Sequence, residues 1–200
     1  MENSSDLIRR KEMIIETKEF TLRPWEENDA KRLAFIANNR KISCYLRDGF
    51  PHPYTIDDAK GFIYLARQPE VDFAGVAIEI EGVLAGSIGA YPKEDVHRKN
   101  MEVGYFLGED YWGRGIMSDI IRCMLQYLFE NFDIVRVYAE PFASNMPSRR
   151  VLEKAGFRLE GVLKNSIIKD DVVQDSCIYA ILKDEFEEKY SNPCPTRSKA

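Results

Sequence analysis

Apolar positions along this chain change period several times, and each change marks an element. Residues 17–23 alternate and stop at Pro24, which predicts a first strand. Asn28 and Asp29 then precede Ala30, Leu33, Ala34 and Ala37, one apolar helix face behind a polar cap. Thr55-Ile56-Asp57-Asp58 sets a hydroxyl three residues ahead of a carboxylate, a variant of the capping box, and predicts a second helix carrying Ala59, Phe62, Ile63 and Ala66. Period two returns over residues 73–80 and 83–90, parted by Glu81-Gly82, the mark of a tight hairpin. A charged connection, residues 93–100, leads into a strand over 101–107. Ile116, Ile120, Met124 and Leu128, flanked by Ile121 and Leu125, then form the core stripe of a helix over 115–131. Residues 134–139 are a short apolar strand, so this stretch reads as a βαβ unit with parallel strands. A helix over about 147–155 ends at Gly156, and strands over 157–169 and 172–182, separated by Asp170-Asp171, close the chain as a hairpin.

Composition narrows the function classes. Two hundred residues, 44% hydrophobic and 30% charged, suit one globular domain, expected over 13–190 between flexible tails at 1–12 and 191–200. A net charge of −5 argues against a nucleic-acid surface and is compatible with cationic or amine substrates. Cys44, Cys123, Cys177 and Cys194 are scattered without metal spacing and read as reduced thiols of a cytoplasmic protein. Two histidines, His52 and His97, do not make a zinc site, and no metal is expected. The N-terminal residues lack an apolar signal core, and no run reaches membrane-spanning length, so no membrane partner is expected.

The chemistry concentrates in Glu109-Asp110-Tyr111-Trp112-Gly113-Arg114-Gly115-Ile116-Met117. Two glycines at a strand-to-helix turn leave backbone N–H groups free to face an anion, and the helix N-terminus adds partial positive charge. No Gly-Lys-Ser/Thr follows, which excludes a nucleoside triphosphate loop, and the three spaced glycines of a dinucleotide fold are absent. Downstream lies Ser144-Asn145-Met146-Pro147-Ser148-Arg149-Arg150-Val151-Leu152-Glu153-Lys154-Ala155-Gly156-Phe157, and upstream Leu22-Arg23-Pro24-Trp25.

In this order and spacing, over roughly residues 14–188, the chain resembles the GNAT acetyltransferases, and within them the RimJ/RimL-type branch that acetylates N-terminal amines of ribosomal proteins. The resemblance implies an α+β fold, a mixed and mostly antiparallel sheet with one parallel strand pair and helices on both faces. It implies acetyl-CoA as cosubstrate and a primary amine, a protein N-terminus or a small molecule, as acceptor, in a monomer or homodimer. A non-catalytic acyl-CoA-binding module is the alternative. The pantetheine arm would lie along Val103, Tyr105, Phe106 and Leu107, and the pyrophosphate on the amides of Trp112, Gly113, Arg114, Gly115, Ile116 and Met117. Met117 departs from the small residue usual in the family, as does Trp112 from the usual Gln or Arg. Asn145 would bond the pantetheine, and Ser148 would donate a proton to the departing sulfur.

A base must also deprotonate the ammonium. At neutral pH this costs about 1 kcal/mol for an α-amine and about 4.6 kcal/mol for a lysine. Glu102 is the leading candidate, because relatives often place a glutamate there, and Glu140 is the second. A base that some ribosomal-protein acetyltransferases carry on the penultimate strand falls here on Ile167, which cannot serve. His52 lies in the Phe50-Pro51-His52-Pro53-Tyr54 segment of the expected acceptor wall. No cysteine neighbours the motifs, so transfer is expected to be direct.

Overall fold

The computed structural model describes residues 13–68, 74–190 and Cys194. Its strands are β1 (Ile15–Glu16), β2 (Thr21–Arg23), β3 (Ala74–Ile80), β4 (Val83–Pro92), β5 (Asn100–Leu107), β6 (Arg136–Ala139), β7 (Arg158–Lys169) and β8 (Val172–Leu182). Its α-helices are α1 (Ala30–Ala37), α2 (Arg40–Ser43), α3 (Ile56–Ala66), α4 (Ile116–Asn131), α5 (Met146–Lys154) and α6 (Lys183–Lys189). Among the described residues the strands form one sheet in the order β1-β2-β3-β4-β5-β6-β8-β7. Every adjacent pair is antiparallel except β5 and β6.

Helices cover both faces. On one, the stripe of α4 packs with Leu152 and Phe186 against Val76, Ile78, Ile88, Val103, Val137 and Tyr179 of the sheet. On the other, Leu33 and Ile36 of α1 and Ala59 and Ile63 of α3 meet Trp25, Tyr54, Ala77 and Leu84. Buried on both sides, β4 uses small residues where strands crowd. A Cβ on Gly86 would lie 2.3 Å from the Phe106 carbonyl oxygen, so only glycine fits. Both hairpin signals hold. Glu81 and Gly82, and Asp170 and Asp171, have positive φ at both central positions, the twist-matched two-residue turn.

Several expectations need correction. The first strand, expected over 17–23, is confined to 21–23, because Thr17 turns the chain by accepting the Phe20 amide at 3.0 Å, and β1, ahead of that turn, folds back on β2. Asp29 does not cap α1 with its side chain. It takes a two-pronged contact from Arg23, 2.8 Å on each arm, and accepts the Glu26 amide at 2.9 Å. Helices α2 and α6 were not foreseen; both are short, α2 buries only Ile42 and Ser43, and α6 is mainly charged and buries little beyond Phe186. The largest change concerns the thiols. Cys123 and Cys194 are not separate reduced thiols but a disulfide with Cα atoms 5.3 Å apart, and Cys44 and Cys177 remain free. Cys194 therefore anchors to α4, where its amide also donates to Gln126 at 2.5 Å. The other residues of the expected tails lie outside the described residues.

Candidate active site

The parallel pair β5–β6 sets the site. Only Asn100, Met101 and Glu102 pair with Arg136, Val137 and Tyr138. Beyond this point β6 stops at Ala139 while β5 runs on to Leu107, so the strands part and the β6-facing backbone of residues 103–107 has no strand neighbour. The opening is a cleft of about 760 Å³. Val103, Tyr105 and Phe106 form one wall, Glu140, Phe142, Asn145 and Ser148 another, and the segment after α2, with Tyr45, Arg47, Phe50 and Tyr54, closes a third.

At the end of β5 the chain passes through a 3-10 turn, Glu109–Tyr111, into α4. Gly113 and Gly115 have φ of 76° and 80°, the left-handed region, and a Cβ on either would meet no atom within 4 Å. Among the described residues the amides of Gly113, Arg114, Gly115, Ile116 and Met117 have no backbone acceptor, which leaves five N–H groups unpaired at a helix N-terminus. Trp112 is the exception to the expected set. Its amide is already donated to the Glu109 carbonyl at 3.1 Å, and its indole N–H caps the Leu107 carbonyl at 2.6 Å. Met117 departs from the family pattern harmlessly, since its side chain is buried in the core behind the turn. Arg114 folds back over the Tyr111 ring and donates to the Asp110 carbonyl.

Asn145 accepts the Ser148 amide at 3.2 Å and so caps α5, while its Nδ2 has no acceptor among the described residues and stays available. Across the cleft the Tyr105 hydroxyl lies 2.9 Å from Ser148 Oγ. Burial pushes the Tyr105 phenol well above its ordinary range despite the Ser148 contact, so it remains a donor at any working pH.

The two carboxylates differ sharply. Glu102 is 8% exposed, and Arg47 pairs with its Oε1. Lys93 donates to its Oε2 at 2.8 Å and Tyr138 at 3.3 Å. Desolvation lowers the Lys93 ammonium, but its bonds to Glu102 and Tyr138 outweigh this and raise it. Taking a substrate proton at Glu102 would weaken its bonds to two cations. Glu140 also lines the cleft; its Oε1 accepts from the Ser176 hydroxyl at 2.8 Å, and no cation pairs with it among the described residues.

A family model described as an acetyltransferase (GNAT) domain matches residues 19–158. This chain belongs to the GNAT acetyltransferase family. It is an acetyl-CoA-dependent N-acetyltransferase, with homologues in the RimJ/RimL-like branch. The GNAT relative YnaD of Bacillus subtilis, an uncharacterised N-acetyltransferase, is 29% identical over 87% of this chain and 99% of its own length. YdaF of the same organism, whose name proposes a ribosomal N-acetyltransferase, is 30% identical over 84% of this chain and 93% of its own length. Among solved GNAT structures, RimL, a ribosomal L7/L12 α-N-protein acetyltransferase in complex with coenzyme A, superimposes with a TM-score of 0.76 at 22% identity, covering 86% of this chain and 99% of that one.

The GNAT cleft gathers half of the site residues singled out by sequence, while Leu107 and residues 112–117 are not in its lining. Ser148, Asn145, Glu140 and Glu102 line it together, and Ile167 faces it where a carboxylate was sought. His52 is exposed and outside the lining, as is His97 in its 3-10 turn, and no cysteine is among the lining residues. Tyr179 is fully buried between Arg149 and Glu153 and holds the core. Sequence reasoning missed Arg47 and Lys93 as partners of Glu102 and missed the contact of Tyr105 with Ser148. The resemblance placed Tyr105 on the strand that faces the pantetheine, but nothing local in the sequence marks its partner.

Proposed function

We propose that the chain transfers acetyl directly from acetyl-CoA to a primary amine, a protein N-terminus or a small-molecule amine, with Glu140 as base and Ser148 as acid. The observation that carries this reading is the cleft itself. It holds Glu140, without a cation partner among the described residues, on the same wall as Ser148, whose hydroxyl meets that of Tyr105 from the neighbouring wall. The free amides of residues 113–117, the unpaired edge of β5 and Asn145 Nδ2 suit the pyrophosphate and pantetheine of the donor. In the reaction Glu140 takes one proton from the ammonium. The free amine forms the new N–C bond as the C–S bond breaks. Ser148 passes its hydroxyl proton to the departing sulfur and is refilled by the second proton of the attacking nitrogen. The Tyr105 hydroxyl, 2.9 Å from Ser148 Oγ and donating to the Ser148 carbonyl at 3.3 Å, holds Ser148 in place. The α-amine of a protein N-terminus makes the lighter demand on a single carboxylate, and the likeness to YdaF and RimL points the same way.

Thiol release from acetyl-CoA, measured with an N-terminal-serine peptide, spermidine and free lysine, tests the acceptor. Glu140→Gln should lower turnover about 10²-fold or more with the fastest of these amines, while Glu102→Gln mainly lowers stability. Wild-type turnover in Glu140→Gln, with loss in a folded Glu102→Gln, would return the base to β5.

A further inference from the structure

Behind Glu140 lies a string of hydroxyls that the transfer chemistry does not use. Ser176, 1% exposed, donates to Glu140 Oε1 at 2.8 Å, and its Oγ lies 2.8 Å from Ser166 Oγ. Ser166 is exposed, and its hydroxyl is also within 3.1 Å of the Leu163 carbonyl. Neither serine lines the cleft. The string depends on a break in the β7–β8 ladder. Pairing slips between Leu163 and Ile167, and Asn165 turns through a φ of 52°. Asp175 pins this bulge by accepting the Asn165 amide at 2.9 Å and the Lys164 ammonium at 2.7 Å. Ser166 is thereby aimed at Ser176, whose amide it also accepts at 3.2 Å.

We propose that Ser176 and Ser166 relay the amine proton from Glu140 through the β7–β8 hairpin to solvent outside the cleft. The proposal rests on the reading of Glu140 as base. After Glu140 has taken the proton, its carboxyl donates it to Ser176 Oγ. Ser176 in turn gives its own proton to Ser166 Oγ, and Ser166 gives its own to water. Each hydroxyl ends with one proton, and one proton has left the carboxyl. Both hydroxyls then rotate back, Ser166 using the Leu163 carbonyl as its alternative acceptor. The route has a purpose, because an acceptor and the thioester together fill the cleft and displace water that would otherwise carry the proton away.

Ser166→Ala is the informative variant, since the residue is exposed and touches neither Glu140 nor substrate. With the fastest amine of the panel, steady-state turnover should fall about 10-fold, less than for loss of the base itself, while single-turnover acetyl transfer and CoA affinity are unchanged. Its rate should rise with imidazole concentration, which the wild-type rate should not. A proton inventory in H2O/D2O mixtures should be curved for wild type and straighter for the variant. Ser166→Thr, which keeps the hydroxyl, should restore the wild-type pattern, and Ser176→Ala should behave like Ser166→Ala if it folds. Wild-type rate, inventory and buffer independence in Ser166→Ala, with Glu140→Gln inactive, would overturn the relay and leave the base. Full turnover in Glu140→Gln would overturn both.

Discussion

The hydroxyls of Tyr105 and Ser148 meet although 43 positions separate them in sequence. The contact holds the Ser148 side chain in place, and a Tyr105 proton turned to Ser148 Oγ instead of to the Ser148 carbonyl 3.3 Å away would leave the serine's own proton free to point at the sulfur. Tyr105→Phe should therefore lower kcat about 10-fold, less than loss of the acid itself, without changing the dissociation constant for CoA. Rapid-mixing thiol assays beside equilibrium CoA titration would check the split; weakened CoA binding with unchanged kcat would make Tyr105 a mere wall of the groove. At this scale the sequence reveals what is contiguous. Asn145 and Ser148 stand three apart across a helix start, where cap chemistry and motif reading agree. The partners of Glu102 were not legible, because Arg47 comes from a loop and Lys93 from the connection after β4, and only packing decides whether their charges reach one carboxylate.

Among the elements, those with a long period and a definite stop were readable. The α4 stripe, the Thr55 capping box and both two-residue hairpins follow from local chemistry. Short elements were not, since β1 is two residues held by a Thr17 turn and α2 is a single turn of four residues that starts at the Asn39 cap. The turn into α4 is where element geometry becomes binding. Gly115→Asp puts a carboxylate before the five free amides, while the left-handed backbone there costs an aspartate only about 1 kcal/mol. CoA affinity should collapse with little change in thermal stability, and Gly115→Asn, equal in shape but neutral, should retain more of it. Calorimetric titration of the two variants reads this directly, and equal CoA affinity in both would remove the charge argument.

For the molecule as a whole, the disulfide between Cys123 and Cys194 closes a loop spanning 71 positions. Loop closure of that length restrains the unfolded chain by about 4 kcal/mol. Cys194→Ser, or reduction of the wild type, should lower Tm by roughly 10 °C, and reductant should have no further effect on the variant. Superimposable melts of oxidised wild type and Cys194→Ser would show that the bond contributes nothing. The sheet has a second whole-molecule property in its three-residue junction between β5 and β6. Five strands lie to one side of it and three to the other, like the pages of a book bound by a short spine. Anything wedged between the pages touches both. A thioester arm bonded to the β5 edge on one page and to Asn145 on the other would bind the book as a second stitch, so the donor would itself set the width of the gap into which the amine must fit.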